Sequence, residues 1–137
     1  MGEVLPDEGT SSAPGDRATR LRVLVIDDEP LIGMTLRILL EDHDVTVETS
    51  GRAARDRLSE EESFDVILCD LMLDDVSGMQ LAAWVQEHRP SLETRLVFMT
   101  GGAFTDDARA FMRDVPRERQ LEKPFSADEI EELLARF

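Results

Sequence analysis

The stretch FDVILCDLMLDDVSGM, residues 64–79, decides the predicted fold. After Asp65, four apolar residues follow one another without polar alternation, and the run ends on Asp70. Runs of this kind are typical of strands that helices cover on both faces, as in a parallel sheet. The stretch therefore predicts a buried parallel strand with a carboxylate at its carboxyl end.

Four more short apolar runs lie on either side of this one. Together, the five predicted strands occupy residues 21–27, 45–49, 64–70, 95–100 and 119–122. The segments between them have helical periodicity, so strands and helices alternate along the chain. This alternation predicts an α/β fold, a doubly wound parallel sheet with five helices.

Two of the helices have clear start signals. Ser126 and Glu129 have the spacing of a capping box, and an apolar face follows them. Pro30 suits the first turn of another helix. The wide apolar stripe of that helix is typical of packing against a core; it includes Leu31, Met34 and Ile38.

Length and composition indicate one soluble domain. The chain has 137 residues, and its first 20 are rich in Gly, Pro, Ser, Thr and charge without an apolar period. We therefore predict a flexible leader or linker over residues 1–20 and a folded domain over residues 21–137. No apolar run approaches the length of a membrane span, so we expect no membrane contact.

Charge and cysteine content indicate which partners and which cellular location to expect. A net charge of −15 repels phosphate backbones, so we expect no direct nucleic-acid binding. The single cysteine, Cys69, cannot form an internal disulfide, which favours a reducing, cytoplasmic location.

Charged and hydroxyl side chains collect where the predicted strands end. Asp27 and Asp28 follow the first strand, Asp70 and Thr100 end the third and fourth, and Lys123 follows the fifth. Ligands of doubly wound sheets bind at this carboxyl edge. Carboxylates a few ångströms apart repel by about 4 kcal/mol per pair at an effective dielectric constant near 20. The cluster is thus predicted to bind a hard divalent cation, Mg²⁺ with Mn²⁺ possible.

These groups suit the formation of an aspartyl phosphate. Asp70 is the predicted nucleophile, Asp28 a direct metal ligand, Asp27 a ligand through water, and Met72 a ligand through its backbone carbonyl. Lys123 and Thr100 are predicted to hold the phosphoryl oxygens. The simpler alternative, that Asp27 and Asp28 only stabilise a helix dipole, leaves Asp70 and Lys123 without a role.

Four motifs resemble those of the response regulator receiver family. They are VLVIDDEP at 23–30, FDVILCDLMLDDVSGM at 64–79, VFMTGG at 97–102 and LEKPF at 121–125, and the resemblance covers residues 21–137. It implies a flavodoxin-like sheet of order 2-1-3-4-5 and phosphotransfer from a histidine kinase or a histidine phosphotransfer protein. It also implies a conformational switch through Thr100 and a chain that assists only its own phosphorylation and dephosphorylation. Because 137 residues are too few for a receiver plus a separate effector, we expect no output domain in this chain.

The pair TGGAF and LEKPF looks especially like receivers attached to hybrid sensor histidine kinases. A free-standing regulator is the alternative.

Three positions depart from the family pattern or bear on phosphoryl lifetime. Gln120 stands where the family usually has a switch aromatic, which predicts a different output mechanism. Met72 and Gly102 stand at positions that often tune hydrolysis, and neither side chain can position water. We therefore predict a long-lived phosphoryl group on Asp70.

Three other functions fit parts of the pattern. A flavin carrier would need a phosphate loop rich in Ser, Thr and Gly after the first strand, where this chain has acidic residues and Pro30. A metal-dependent phosphatase would usually place an acid two residues after the nucleophile, where this chain has Met72. A receiver-like module that only binds partners would not be modified by a small phosphodonor.

Overall fold

The computed structural model of the chain describes residues 20–101 and 105–137. The predicted leader, apart from Arg20, lies outside the described residues, as does Gly102. In chain order the strands are β1 (Arg22–Ile26), β2 (Asp44–Glu48), β3 (Val66–Asp70), β4 (Leu96–Thr100) and β5 (Gln120–Glu122). The helices are α1 (Pro30–Leu39), α2 (Gly51–Glu60), α3 (Gly78–His88), α4 (Asp106–Arg113) and α5 (Ala127–Leu134), with 3₁₀ turns at Pro90–Arg95 and Arg117–Arg119.

The five strands form one parallel sheet in the order β2-β1-β3-β4-β5. This confirms the predicted doubly wound, flavodoxin-like order 2-1-3-4-5. Each strand boundary lies within two residues of its predicted position. None of the helices in residues 20–101 and 105–137 is long and apolar enough to cross a bilayer.

Apolar clusters cover both faces of the sheet, as the unalternating strands predict. On one face, α2, α3 and α4 pack over side chains that include Leu24, Ile67 and Phe98. On the other face, α1 and α5 pack over side chains that include Val25, Leu68 and Met99. All five residues of β3 are buried. The central strand therefore holds its last residue, Asp70, in a fixed place.

Side-chain caps fix where several helices begin. The Ser126 hydroxyl accepts from the Glu129 N–H at 3.1 Å, and the Glu129 carboxylate accepts from the Ser126 N–H at 2.8 Å. This is the predicted capping box of α5. Ser77 and Gln80 form a second one at the start of α3.

The apolar stripe predicted for α1 is only partly buried, so the prediction that the stripe packs on the core is wrong for three residues. Leu31, Met34 and Ile38 are 66%, 60% and 72% exposed, whereas Leu36 and Leu40 are buried. A sheet covers only one side of a helix, and apolar residues occupy both sides of α1. Leu31, Met34 and Ile38 form the outer face of α1, which begins beside the acidic residues that follow β1.

Candidate functional site

The parallel sheet brings the predicted site residues to its carboxyl edge. Asp27 follows β1 directly, Asp70 and Thr100 are the last residues of β3 and β4, and Lys123 follows β5. Hydrogen bonds continue the sheet here, since the Lys123 N–H donates to the Thr100 carbonyl at 2.8 Å. Four neighbouring strands thus position these side chains.

Three carboxylates meet at this edge. One oxygen from each of Asp27, Asp28 and Asp70 lies within 4.8 Å of the others. Asp27 is 1% exposed and Asp70 is 8% exposed. The remaining Asp27 oxygen, Oδ1, accepts from the Glu29 N–H at 2.9 Å, which fixes the turn between β1 and α1. Carboxylates held so close in a largely buried place need a positive charge.

Lys123 supplies part of that charge. Its Nζ lies 2.7 Å from Asp27 Oδ2 and 3.7 Å from Asp70 Oδ2. Burial opposes the charged form of Lys123, but the hydrogen bond to Asp27 and the charge of Asp70 outweigh it, so its pKa is raised. The ammonium therefore remains charged between the two carboxylates.

The surroundings of Asp70 shift its pKa upward. Burial is the main cause of its raised pKa, and the charge of Asp27 adds to it. The Met72 N–H, which donates to Asp70 Oδ1 at 3.2 Å, and the charge of Lys123 act in the opposite direction. A perturbed pKa beside a charged partner marks Asp70 as a candidate functional group at this edge.

The donor set fits a hard divalent cation. Three carboxylates provide oxygen ligands, and Met72 lies two residues after Asp70, on the loop at the same edge. Oxygen donors of this number suit Mg²⁺. Cys69 precedes Asp70 but is fully buried, and burial raises the pKa of its thiol, which keeps it protonated.

Two acids in the loop after β3 make contacts that the sequence did not predict. The Asp74 N–H donates to Asp28 Oδ2 at 3.3 Å, and hydrogen bonding and charge from Asp28 raise the pKa of Asp74. Asp75 instead accepts two hydrogen bonds from the first residues of α2. The only sequence signal for these contacts was an Asp-Asp pair shortly after the end of a strand.

Gln120, at the expected position of the aromatic switch, is directed toward α4. Its side-chain amide donates to the Val115 carbonyl at 2.7 Å and to the Met112 carbonyl at 3.2 Å. Carbonyls at the end of a helix lack partners within that helix. Gln120 therefore connects β5 to the last turn of α4, through Met112, and to the segment that follows it, through Val115.

Comparisons with known proteins agree with this fold. A family model described as the response regulator receiver domain matches residues 23–135. The chain is 32% identical over 110 residues to the alginate biosynthesis transcriptional regulatory protein AlgB of Pseudomonas syringae, a match that covers 80% of this chain and 24% of the relative. It is 30% identical over 110 residues to the transcriptional regulatory protein SrrA of Staphylococcus aureus, with 79% and 44% covered. The chain thus spans less than half the length of these relatives.

Solved structures have the same architecture. A response regulator receiver domain from Clostridium thermocellum superposes with a TM-score of 0.70 at 25% identity, covering 85% of this chain and 92% of that one. The receiver domain of sensor histidine kinase PA1611 from Pseudomonas aeruginosa, whose active-site cleft coordinates a magnesium ion, gives a TM-score of 0.69 at 21% identity, covering 86% and 97%. The second likeness concerns the fold alone.

Proposed function

This chain belongs to the response regulator receiver family, and on that premise we propose that Asp70 accepts a phosphoryl group from a histidine kinase or a histidine phosphotransfer protein. The observation that carries the proposal is the placement of the Asp70 carboxylate beside Asp27, Asp28 and the Lys123 ammonium. These groups are the parts that phosphoryl transfer to a carboxylate needs.

The reaction is an in-line displacement at phosphorus. A carboxylate oxygen of Asp70 forms the new P–O bond while the P–N bond to the donor histidine breaks. The imidazole nitrogen leaves with that electron pair and takes up a proton. Lys123, already 3.7 Å from Asp70, would stabilise negative charge on the transferring oxygens, and Thr100 would hold one of them. The chain then assists its own modification and acts on no separate substrate.

Mg²⁺ is the cation that we propose for the carboxylate cluster, held by Asp28, Asp70 and the Met72 carbonyl, with Asp27 acting through water. A bound Mg²⁺ would neutralise charge on the phosphoryl oxygens. The clustering of three carboxylate oxygens within 4.8 Å supports it. The magnesium ion in the cleft of the Pseudomonas aeruginosa receiver supports it as well.

The phosphodonor is proposed to dock on the outer face of α1. Its histidine must reach Asp70, so its surface must cover the carboxyl edge and what lies next to it. The outer face of α1 consists of Leu31, Met34 and Ile38, each at least 60% exposed, and it begins three residues after Asp28. A rise of about 1.5 Å per residue carries this face about 10 Å away from the edge. An apolar face beside a reactive group marks an interaction site.

We propose that the chain is located in the cytoplasm. We also propose that it does not bind nucleic acids directly. The net charge of −15 supports the absence of nucleic-acid binding, because it repels phosphate backbones.

The first test uses a small phosphodonor. Incubation of the chain with acetyl phosphate and Mg²⁺ is expected to add the mass of one phosphoryl group, and excess EDTA is expected to prevent the gain. Intact-protein mass spectrometry measures both results. A chain that gains no mass with Mg²⁺ present would be a binding-only module, and the proposal would fail.

The phosphoryl group is expected to be long-lived once formed. Met72 and Gly102 carry no polar side chain to orient an attacking water, and Gly102 lies outside the described residues. After removal of the donor, we expect a half-life of minutes or longer in the intact-mass assay. Decay within seconds would contradict this expectation.

A further inference from the structure

We propose that Asp75 is a positioning residue for the cation site, because it clamps the loop after β3 to the start of α2. The inference rests on the proposed Mg²⁺ site and goes beyond it, since Asp75 would touch neither the metal nor the phosphoryl group. Its carboxylate would act through the backbone of residues 72–74.

The clamp consists of two hydrogen bonds between segments far apart in the sequence. Asp75 Oδ1 accepts from the Gly51 N–H at 3.0 Å, and Asp75 Oδ2 accepts from the Arg52 N–H at 3.0 Å. The first N–H groups of a helix have no partner within it, and the helix dipole favours a negative charge there. These hydrogen bonds, with that from the Val76 N–H, hold the pKa of Asp75 well below its usual range. The clamp therefore remains ionised at neutral pH.

Two glycines show how closely the loop is held at each end. A Cβ on Gly51 would lie 2.4 Å from the Val76 carbonyl oxygen, so the loop contacts α2 at a distance that only glycine allows. A Cβ on Gly78 would lie 2.8 Å from both the Asp70 carbonyl oxygen and the Leu71 Cα. The loop is thus fixed against α2 on one side and against its own beginning on the other.

The clamped segment contacts two of the three carboxylates. The Met72 N–H donates to Asp70 Oδ1 at 3.2 Å, and the Asp74 N–H donates to Asp28 Oδ2 at 3.3 Å. Both hydrogen bonds come from backbone, so their geometry depends on where the loop lies. The proposed ligand carbonyl of Met72 belongs to the same segment. Release of Asp75 from α2 would therefore disturb the hydrogen bonds to Asp70 and Asp28, which would be two of the ligands of the cation.

Ser50 offers a matched control. Its hydroxyl also caps α2, accepting from the Ala53 N–H at 2.9 Å, but within the described residues it forms no hydrogen bond to the loop after β3. Ser50→Ala and Asp75→Ala each remove a cap from the same helix, and both are expected to lower the denaturation midpoint. Only Asp75→Ala also releases the loop.

Mg²⁺ affinity, measured by isothermal titration calorimetry without any phosphodonor, tests the inference. We expect Asp75→Ala to weaken binding by tenfold or more, as loss of a group that orients metal ligands typically does, and Ser50→Ala to bind like the wild type. Asp75→Asn, which keeps one acceptor oxygen but loses the charge, is expected to lie between them and serves if the alanine variant does not fold.

Three other results of the titration are possible, and each of them would overturn one claim. Equal affinities for wild type and both Asp75 variants would show that the clamp does not position the site. Equal weakening in Ser50→Ala and Asp75→Ala would assign the effect to helix stability and would also overturn the inference. Absence of Mg²⁺ binding by the wild type would instead overturn the proposed cation site, and with it any role of Asp75 there.

Discussion

Asp70→Asn is expected to abolish phosphorylation of the chain by acetyl phosphate. The amide has the shape of the carboxylate but not its nucleophilic oxygen, and the aspartyl phosphate cannot form without that oxygen. Intact mass after incubation with Mg²⁺ measures the result: one phosphoryl group on the wild type and none on the variant.

Loss of folding is not expected to explain that result. Folding raises the pKa of Asp70, mainly through burial, so the ionised carboxylate disfavours the folded state at pH values above its unfolded pKa. A neutral amide avoids that cost. The free energy of unfolding of Asp70→Asn is therefore expected to equal or exceed that of the wild type.

Asp44→Asn is the matched control. Asp44 is exposed and begins β2, at the amino end of the same sheet, away from the carboxyl edge. This variant is expected to gain one phosphoryl group as the wild type does. Phosphorylation of Asp70→Asn to the same extent as the wild type would show that another residue is the acceptor.

The second large effect is expected on the outer face of α1. A triple variant in which glutamine replaces Leu31, Met34 and Ile38 is expected to accept the phosphoryl group from a histidine phosphotransfer protein at least tenfold more slowly than the wild type. Complete burial of one such side chain is worth about 1.5–3 kcal/mol, and a factor of ten corresponds to about 1.4 kcal/mol. Partial burial of three side chains in the docked complex would suffice.

The measurement compares two donors on the same variant. A phosphotransfer protein already labelled on its histidine, which labels the wild-type chain, serves as the protein donor, and acetyl phosphate is the small donor. We expect the triple variant to react normally with acetyl phosphate. Because the three side chains are exposed, stability is expected to change by only about 0.5 kcal/mol for each.

Ala83→Gln is the control for that variant. Ala83 is exposed on α3, which packs on the opposite face of the sheet from α1. Its transfer rate should equal that of the wild type. Equal rates for the triple variant and the wild type with the protein donor would place docking elsewhere.

The strands of the sheet could be predicted because each strand is marked by a short stretch of its own sequence. Five short apolar runs, the central one ending on Asp70, indicate a parallel sheet covered on both faces. The strand order came from the resemblance to the receiver family, and the structure has that order. The placement of the acids was equally accessible, since residues at the ends of adjacent parallel strands share one edge. The chemical roles of Asp27, Asp28, Met72, Thr100 and Lys123 remain predictions.

The orientation of α1 and the partners of Asp75 could not be predicted, because both depend on tertiary contacts that sequence periodicity does not reveal. Sequence alone shows that α1 is apolar on a wide arc, but it does not show that Gly33 faces β2, where an added Cβ would lie 2.8 Å from Val47 Cγ1. Asp75 contacts Gly51 and Arg52 across more than twenty residues of sequence. In both cases a backbone position set by the whole fold selects the partner.

The two hydrogen bonds of Gln120 couple the local unfolding of two elements of the domain. They join β5 to Met112 in the last turn of α4 and to Val115 just after it, so α4 and β5 cannot move apart from each other without losing these bonds. We expect α4 and β5 to open together as one cooperative unit. The conformational switch through Thr100 remains a prediction. If Thr100 switches, a change in how often that unit opens would carry the signal, with no aromatic ring required to rotate.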